Sequence, residues 1–311
     1  MKISRSDILY APVSLLLHGM ALLPMWVLYG LSDVLFVLIR YVVRYRVKVV
    51  RRNIGESFPE MSVAECRRTE RRFYRHFADY FVETIKLLHI SDAKVRQMME
   101  FVNVEEVDRS VAAGRSVAVY AGHYANWEYL SSITLWSRFS TDEVAFGQIY
   151  RRLNNEWFDA FFLRLRSRFN SSSYEKRESF RDLLRLKRSG KVAVTGFISD
   201  QHPSGVDTHH VVRFLNHDTA MISGTETIIR KLDYDVFYFD TEKLGRGRYR
   251  TTMRKITTNQ RVQPPRAITD AYVALLERSI LRQPELWLWT HKRWKHKCTE
   301  CAQPLTPLSD D

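Results

Sequence analysis

Cysteine is too scarce in this chain for a disulfide framework. Its 311 residues include three cysteines, Cys66, Cys298 and Cys301, and that scarcity points to a reducing compartment. Acidic residues are also short: 35 Asp and Glu face 48 Lys and Arg, leaving a net charge of +13. Such a balance favours an acidic partner, whether nucleic acid, an anionic membrane surface or an acidic protein. There is no P-loop and no dinucleotide fingerprint. Ser223-Gly224-Thr225 lacks the flanking pattern of a nucleophile elbow. No fixed-period repeat or low-complexity tract appears, and no linker after Ser62 separates two domains. The length allows one large domain or two small ones; here the membrane-proximal helices and one α/β domain suffice.

One absence is local. Ile8 to Ser32 contains no Asp, Glu, Lys or Arg over 25 residues, long enough to cross a hydrocarbon core about 30 Å thick. Pro12, Pro24, Gly19 and Gly30 interrupt it, so a kinked helix or a pair of half-buried helices fits as well as one straight span. A second run, Val34 to Val43, is apolar apart from Arg40 and adjoins Arg44, Arg46, Lys48, Arg51 and Arg52. That basic cluster outweighs Lys2 and Arg5 and places the bulk of the protein in the cytoplasm. The apolar region is too long for a cleaved signal peptide and has no small-residue cleavage site. The expectation is a membrane-anchoring segment over residues 1–48 and an α/β domain over 49–311.

What organises the chain is Ser116 to Ile133. Val117 to Ala121 reads as a buried strand; Gly122-His123 breaks it, and Asn126 offers an N-cap to a helix carrying Trp127, Glu128, Leu130 and Ile133. His123 thus falls at the carboxyl end of a strand, where open α/β sheets place their ligands. Glu128 follows five residues on. On one helix the two side chains diverge by about 140°, so they meet only with His123 on the loop and Glu128 in the first helical turn. In that geometry Glu128 fixes the tautomer of His123 and stabilises its imidazolium, and His123 can take a proton from a hydroxyl or amine. Equally compatible with the spacing alone is a Glu128 that favours a helix N-terminus and a His123 packed beneath a loop.

Around this stretch, Ser62 and Glu65 stand at capping-box spacing before a helix running to about Leu88, and Val104 to Ala113 reads as a helix ended by Gly114. Glu143 to Tyr150 and Lys191 to Ile198 read as strands, the first leading into Arg151-Arg152-Leu153-Asn154-Asn155 and a helix from Glu156 to Arg168, the second into Asp200. Ser173 to Lys187 reads as helix. Phe214 to Ala220 reads as a connection, after which a helix ends near Leu232. Two strands, Asp235 to Asp240 and Arg248 to Ile256, flank Gly245-Arg246-Gly247, and Ala267 to Leu281 is a final helix. The alternation predicts an α/β fold: a mixed, partly parallel sheet flanked by helices, behind an N-terminal membrane-associated helical segment.

Together these residues resemble the bacterial lipid A biosynthesis acyltransferases of lauroyl/myristoyl type, within the glycerolipid acyltransferase superfamily and its H-x4-D/E motif. The resemblance runs through Arg52-Asn53, Phe58-Pro59-Glu60, Gly122-His123, Trp127-Glu128, Tyr150-Arg151, Asn155, Asp159 and Asp200. It ends in Pro284-Glu285, Leu288-Trp289, His291 and Arg293-Trp294-Lys295. It departs at Arg152, where many relatives carry proline, and in the form of Asp200-Gln201-His202. The resemblance implies transfer of a fatty acyl chain from acyl carrier protein to a hydroxyl of a lipid A precursor at the inner face of the bacterial inner membrane, without cofactor or metal. His123 is then the general base and Glu128 its orienting partner. Arg151 or backbone N–H groups after Gly122 steady the oxyanion. Asn155 braces the Arg151 turn or binds the acceptor, and Asp200 holds Arg151, contacts the acceptor or caps a turn. An aminolipid, another glycolipid or a lysophospholipid as acceptor requires the same first step.

Other readings carry less. Cys298 and Cys301 with His291 and His296 lack a second ligand pair at zinc-finger spacing. His209, His210 and His217 read as solvated loop histidines. The arginines from Arg164 to Arg188 read mostly as a solvated helix face, with some available to an acidic carrier protein or lipid phosphates. A membrane-tethered nucleic-acid binder would need basic residues interleaved with exposed aromatics on one module, and no such module is present.

Overall fold

A computed structural model of the chain describes residues 5–203, 209–295, 298 and 300–309. The charge-free segment folds as two helices broken at Pro24, α1 (Arg5–Leu22) and α2 (Met25–Val37), the latter continuing into a π-helical turn, Leu38–Val42. Met25–Val42 is long and apolar enough to cross a membrane by length and composition. Then follow α3 (Val47–Ser57) and α4 (Val63–Lys86), whose capping box is complete: Ser62 and Glu65 exchange side-chain and backbone bonds. Next come α5 (Asp92–Met98), β1 (Met99–Val102), α6 (Val104–Ala112), β2 (Val117–Ala121), a 3-10 stretch Trp127–Leu135, β3 (Ala145–Tyr150), α7 (Glu156–Arg166), β4 (Ser172–Glu175), α8 (Ser179–Arg188) and β5 (Ala193–Ile198). A small hairpin of β6 (Val211–Phe214) and β7 (His217–Ala220) leads to α9 (Gly224–Leu232), β8 (Asp235–Gly245), β9 (Arg248–Thr257) and α10 (Ala267–Arg282).

Seven strands form one sheet in the order β1-β9-β8-β2-β5-β3-β4. Neighbours run parallel except β8 and β9, the hairpin turning at Gly245 to Gly247. This is the expected mixed, partly parallel α/β sheet. Every residue of β2 is buried, as its unbroken apolar run requires of a strand covered on both faces. On one face Tyr120 stacks on Tyr272 of α10, ring centroids 4.5 Å apart. On the other, Val119 and Ala121 line a cavity.

Three local expectations differ. Ser173 to Lys187 is not one helix: Ser172–Glu175 pairs in parallel with β3 as an edge strand, and the helix starts at Ser179. A polar edge strand has no apolar alternation to announce it. Phe214 to Ala220 belongs to the β6–β7 hairpin, its turn made at Leu215 and Asn216 with positive φ. After β2 the chain forms a 3-10 stretch rather than an α-helix, and the Asn126 side chain does not cap it; its Nδ2 instead donates to the buried Glu83, at 3.0 Å.

Candidate active site

β2 and β5 lie side by side in parallel register, with Ala121 opposite Ile198. Two residues past each strand stand His123 and Asp200, and register alone brings them together. His123 Nδ1 is 2.6 Å from Asp200 Oδ1, and the His123 backbone N–H donates to Oδ2 at 2.8 Å. The Trp287 indole donates to Oδ2 at 2.8 Å as well. Gly122 permits this closeness: a Cβ there would stand 2.7 Å from Leu276 Cδ1 and 3.4 Å from Asp200 Oδ2. The loop is fixed further by Ala125, held at φ 55° with its N–H bonded to Leu286 O and its carbonyl 3.2 Å from His76 Nε2.

Asp200 is buried. Burial alone raises a carboxyl pKa, but the charge of His123 and the hydrogen bonds from His123 and Trp287 overcome it, and Asp200 sits below the ordinary value. An ionised carboxylate on Nδ1 requires the proton there, which leaves the Nε2 lone pair to face the cavity. There the Gln201 amide stands 3.3 Å away. Behind Asp200, the fully buried Arg293 donates to Ala220 O at 2.5 Å; burial pushes its pKa down to about 10, against the pull of Asp200. Burial likewise drives His291 down to about 4, so it is neutral at physiological pH.

Glu128 is placed in the first turn, as the spacing suggested, but it does not hold His123. Its carboxylate takes both arms of Arg166 on α7, at 2.8 and 2.7 Å, and the Tyr80 hydroxyl at 3.4 Å. The Trp127 ring stands edge-on to His123 instead. A two-pronged guanidinium matches a carboxylate better than a single imidazole nitrogen does, and Asp200 already occupies Nδ1. The orienting carboxylate is therefore Asp200. Arg166, read from the sequence as one of several solvated arginines, is the cation that Glu128 fixes in the cavity wall.

The cavity encloses about 960 Å³. Val119, Ile133, Phe146, Val194 and Phe239 supply an apolar interior. His123, Gln201, Arg166, Arg151, Arg152 and Lys176 supply polar groups. Arg151 lines it as an exposed side chain and is not held by Asp200. Asn155 does not line it: its side chain caps α7, accepting from the N–H groups of Trp157 and Phe158 at 3.1 Å each, and donates to Tyr10 at 2.7 Å. Asp159 clamps the same turn through the Leu153 N–H, at 2.8 Å. A more open cleft of about 590 Å³ between α7 and α8 contains neither His123 nor Glu128. His210, expected in solvent, is buried with its Nε2 2.6 Å from Asp270. His296 lies outside the described residues.

An imidazole held by a buried carboxylate, in a cavity lined by apolar and cationic side chains, is suited to activating a hydroxyl for attack on an acyl group. The family model for bacterial lipid A biosynthesis acyltransferases matches residues 6–296. The chain belongs to that family. It is an acyltransferase, and the family read from its motifs is borne out. Relatives include the lipid A biosynthesis lauroyltransferase of Escherichia coli K12, 23% identical over 278 residues that cover 88% of this chain and 87% of the relative. The palmitoleoyltransferase of the same organism is 24% identical over 289 residues, covering 88% and 86%. A lipid A biosynthesis acyltransferase of Shigella flexneri matches to the same extent.

Proposed function

We propose that the enzyme transfers a fatty acyl chain from acyl carrier protein to a hydroxyl of a lipid A precursor, at the cytoplasmic face of the bacterial inner membrane, with residues 1–48 as its membrane-anchoring segment. The observation that carries the reading is His123 between Asp200 and the cavity. The acceptor hydroxyl takes the place of the Gln201 amide at Nε2. As its oxygen attacks the thioester carbonyl carbon, its proton passes to Nε2, and Asp200 stabilises the imidazolium. The carbonyl oxygen becomes an oxyanion; Arg166, braced by Glu128, and Arg151 are the cations on that wall. Collapse of the tetrahedral species breaks the C–S bond, and the imidazolium returns its proton to the leaving thiolate. The acyl chain lies along Val119, Ile133, Phe146 and Val194. Arg152 and Lys176 stand ready for acceptor phosphates.

The same cavity accepts an aminolipid, another glycolipid or a lysophospholipid, and the acceptor decides between the readings. Mass spectrometry of lipid extracts from cells with and without the gene makes that decision. We expect lipid A lighter by one acyl chain, restored by the wild type and by neither His123→Ala nor Glu128→Ala, with both variants folded and membrane-bound. A lost aminolipid beside unchanged lipid A moves the acceptor to the alternative. Near-full activity in both variants overturns the mechanism.

A further inference from the structure

The two N-terminal helices are tied to the catalytic domain along their length. On α2, Tyr29, Ser32 and Asp33 fall at i, i+3 and i+4, one face of the helix. Tyr29 donates to the buried Glu83 at 3.1 Å and Ser32 to the buried Asp79 at 2.7 Å. Arg246, from the β8–β9 turn, grips Asp79 and Asp33 together and also donates to the Tyr29 carbonyl, at 3.2 Å. On α1, Tyr10 meets Asn155 and stacks on Trp157, His18 meets His89 at 2.8 Å, and Lys86 closes the C-terminus through the carbonyls of Ala21 and Leu23, 2.8 Å each. Away from these contacts the segment is bare: Leu15, Leu16, Trp26, Leu31, Val34 and Val42 are exposed.

A bilayer-spanning α2 would carry Tyr29 to Asp33 into the hydrocarbon together with everything bound to them. Arg246 is 33% exposed and Asp33 47% exposed in that pair, and each charge placed in the membrane interior costs at least about 2.5–3.5 kcal/mol. The clasped face belongs in water and the bare face in lipid. Cations stand beside the clasped side of α2 and past its end: Arg75 lies over the buried Phe36, 5.2 Å from its centroid, and Arg46 over Tyr45, 5.5 Å. Arg75 also ends an exposed row on α4 with Arg68, Arg71 and Arg72. What keeps α1 and α2 out of the bilayer interior is the clasp and not their composition, and the arginine row on α4 suits anionic headgroups.

We propose that α1 and α2 lie in the plane of a single leaflet, without crossing the bilayer, and that the α4 arginine row seats the enzyme on anionic headgroups. This rests on the membrane association proposed above. It also gives the cavity its access. Leu153 lines the cavity, and the α7 turn that follows it touches α1 at Tyr10, so a lipid acceptor reaches His123 from the leaflet in which the helices lie.

The test uses the full chain with Cys66, Cys298 and Cys301 changed to serine, reconstituted in vesicles of phosphatidylcholine with phosphatidylglycerol. Nitroxides are placed singly through Leu16→Cys, Trp26→Cys, Leu31→Cys and Val42→Cys, and their immersion depths are read by power saturation. We expect all four at one shallow depth, about 5–10 Å. Depths fanning across the bilayer overturn the in-plane arrangement and leave membrane association standing; four water-exposed labels overturn both. For the headgroup contact, Arg71→Glu with Arg72→Glu is expected to weaken binding to the anionic vesicles at least tenfold, at about 1 kcal/mol per cation, and to leave binding to pure phosphatidylcholine unchanged. An unchanged affinity for anionic vesicles, or an equal loss on both, overturns that contact. An unaltered melting curve for the double variant keeps the comparison valid.

Discussion

Asp200 receives three hydrogen bonds in a buried site, and their number decides how it titrates. Burial opposes ionisation, yet the His123 charge and the donated bonds leave its pKa below the unfolded value of 3.8. A depressed carboxylate contributes stability at pH above the unfolded value and loses it as pH falls through the folded one. Asp200→Asn is therefore expected to lose part of the steep acid destabilisation below about pH 4, measured by denaturant unfolding across pH 2–7. Under the proposed mechanism the same change removes the charge that balances the imidazolium, and by analogy with other carboxylate–histidine pairs kcat should fall about 10³–10⁴-fold with the acyl donor KM little changed. A raised KM with kcat unchanged would assign Asp200 to substrate binding instead. His123 was legible from its own neighbourhood, because a strand, a glycine and a turn occur in one short run. Asp200 was legible as a strand-end residue but not as the partner of His123, since the β2–β5 register couples positions 77 residues apart. Arg166 was hidden because one arginine among the several between Arg164 and Arg188 gives no local sign of facing inward.

Elements with self-contained signals were readable at once: the Ser62–Glu65 capping box, the unbroken apolar run of β2, and the β8–β9 hairpin around its two glycines. Elements that exist through pairing, such as β4 and the β6–β7 hairpin, were not. Gly247 shows how one element can depend on another. It holds φ at +69°, and a Cβ there would collide with the Tyr29 hydroxyl, which must keep its place to donate to Glu83. Glu83 in turn accepts from Asn126 in the His123 loop, at 3.0 Å, and from Tyr249 on β9, at 2.9 Å. Gly247→Ala thus pays twice, in backbone strain of about 1 kcal/mol and in a displaced α2. The expected result is a lowered melting temperature, with Tyr29→Phe in the same chain less destabilised by Gly247→Ala than the wild type is. Additive effects in that double-mutant cycle would mean that Gly247 and Tyr29 act independently.

Across the whole molecule the excess charge is segregated. Residues 40–75 contain eleven Lys and Arg against four Asp and Glu, and residues 164–191 contain ten against three. Each segment therefore carries +7, and the remainder of the chain is close to neutral against the total of +13. The first segment adjoins the apolar helices. The second forms α8 and its approaches, where Lys176, Arg177, Arg181, Arg185, Lys187 and Arg188 are exposed and Lys176 also lines the reaction cavity. Under the proposed function the second face meets the carrier protein that brings the acyl chain. Contact between an acidic carrier and such a face is governed by long-range attraction, which salt screens over about 10 Å at 0.1 M. Raising ionic strength from about 0.05 to 0.3 M is accordingly expected to increase KM for the acyl-carrier donor severalfold while kcat stays constant. Arg177→Glu with Arg188→Glu should raise KM at low salt and flatten its salt dependence, leaving turnover of a short acyl thioester without a carrier unchanged. A salt response of equal size for the carrier-free thioester would place the effect in the cavity or at the membrane rather than on α8. An unaltered KM in the charge-reversed enzyme would remove α8 from the donor's path.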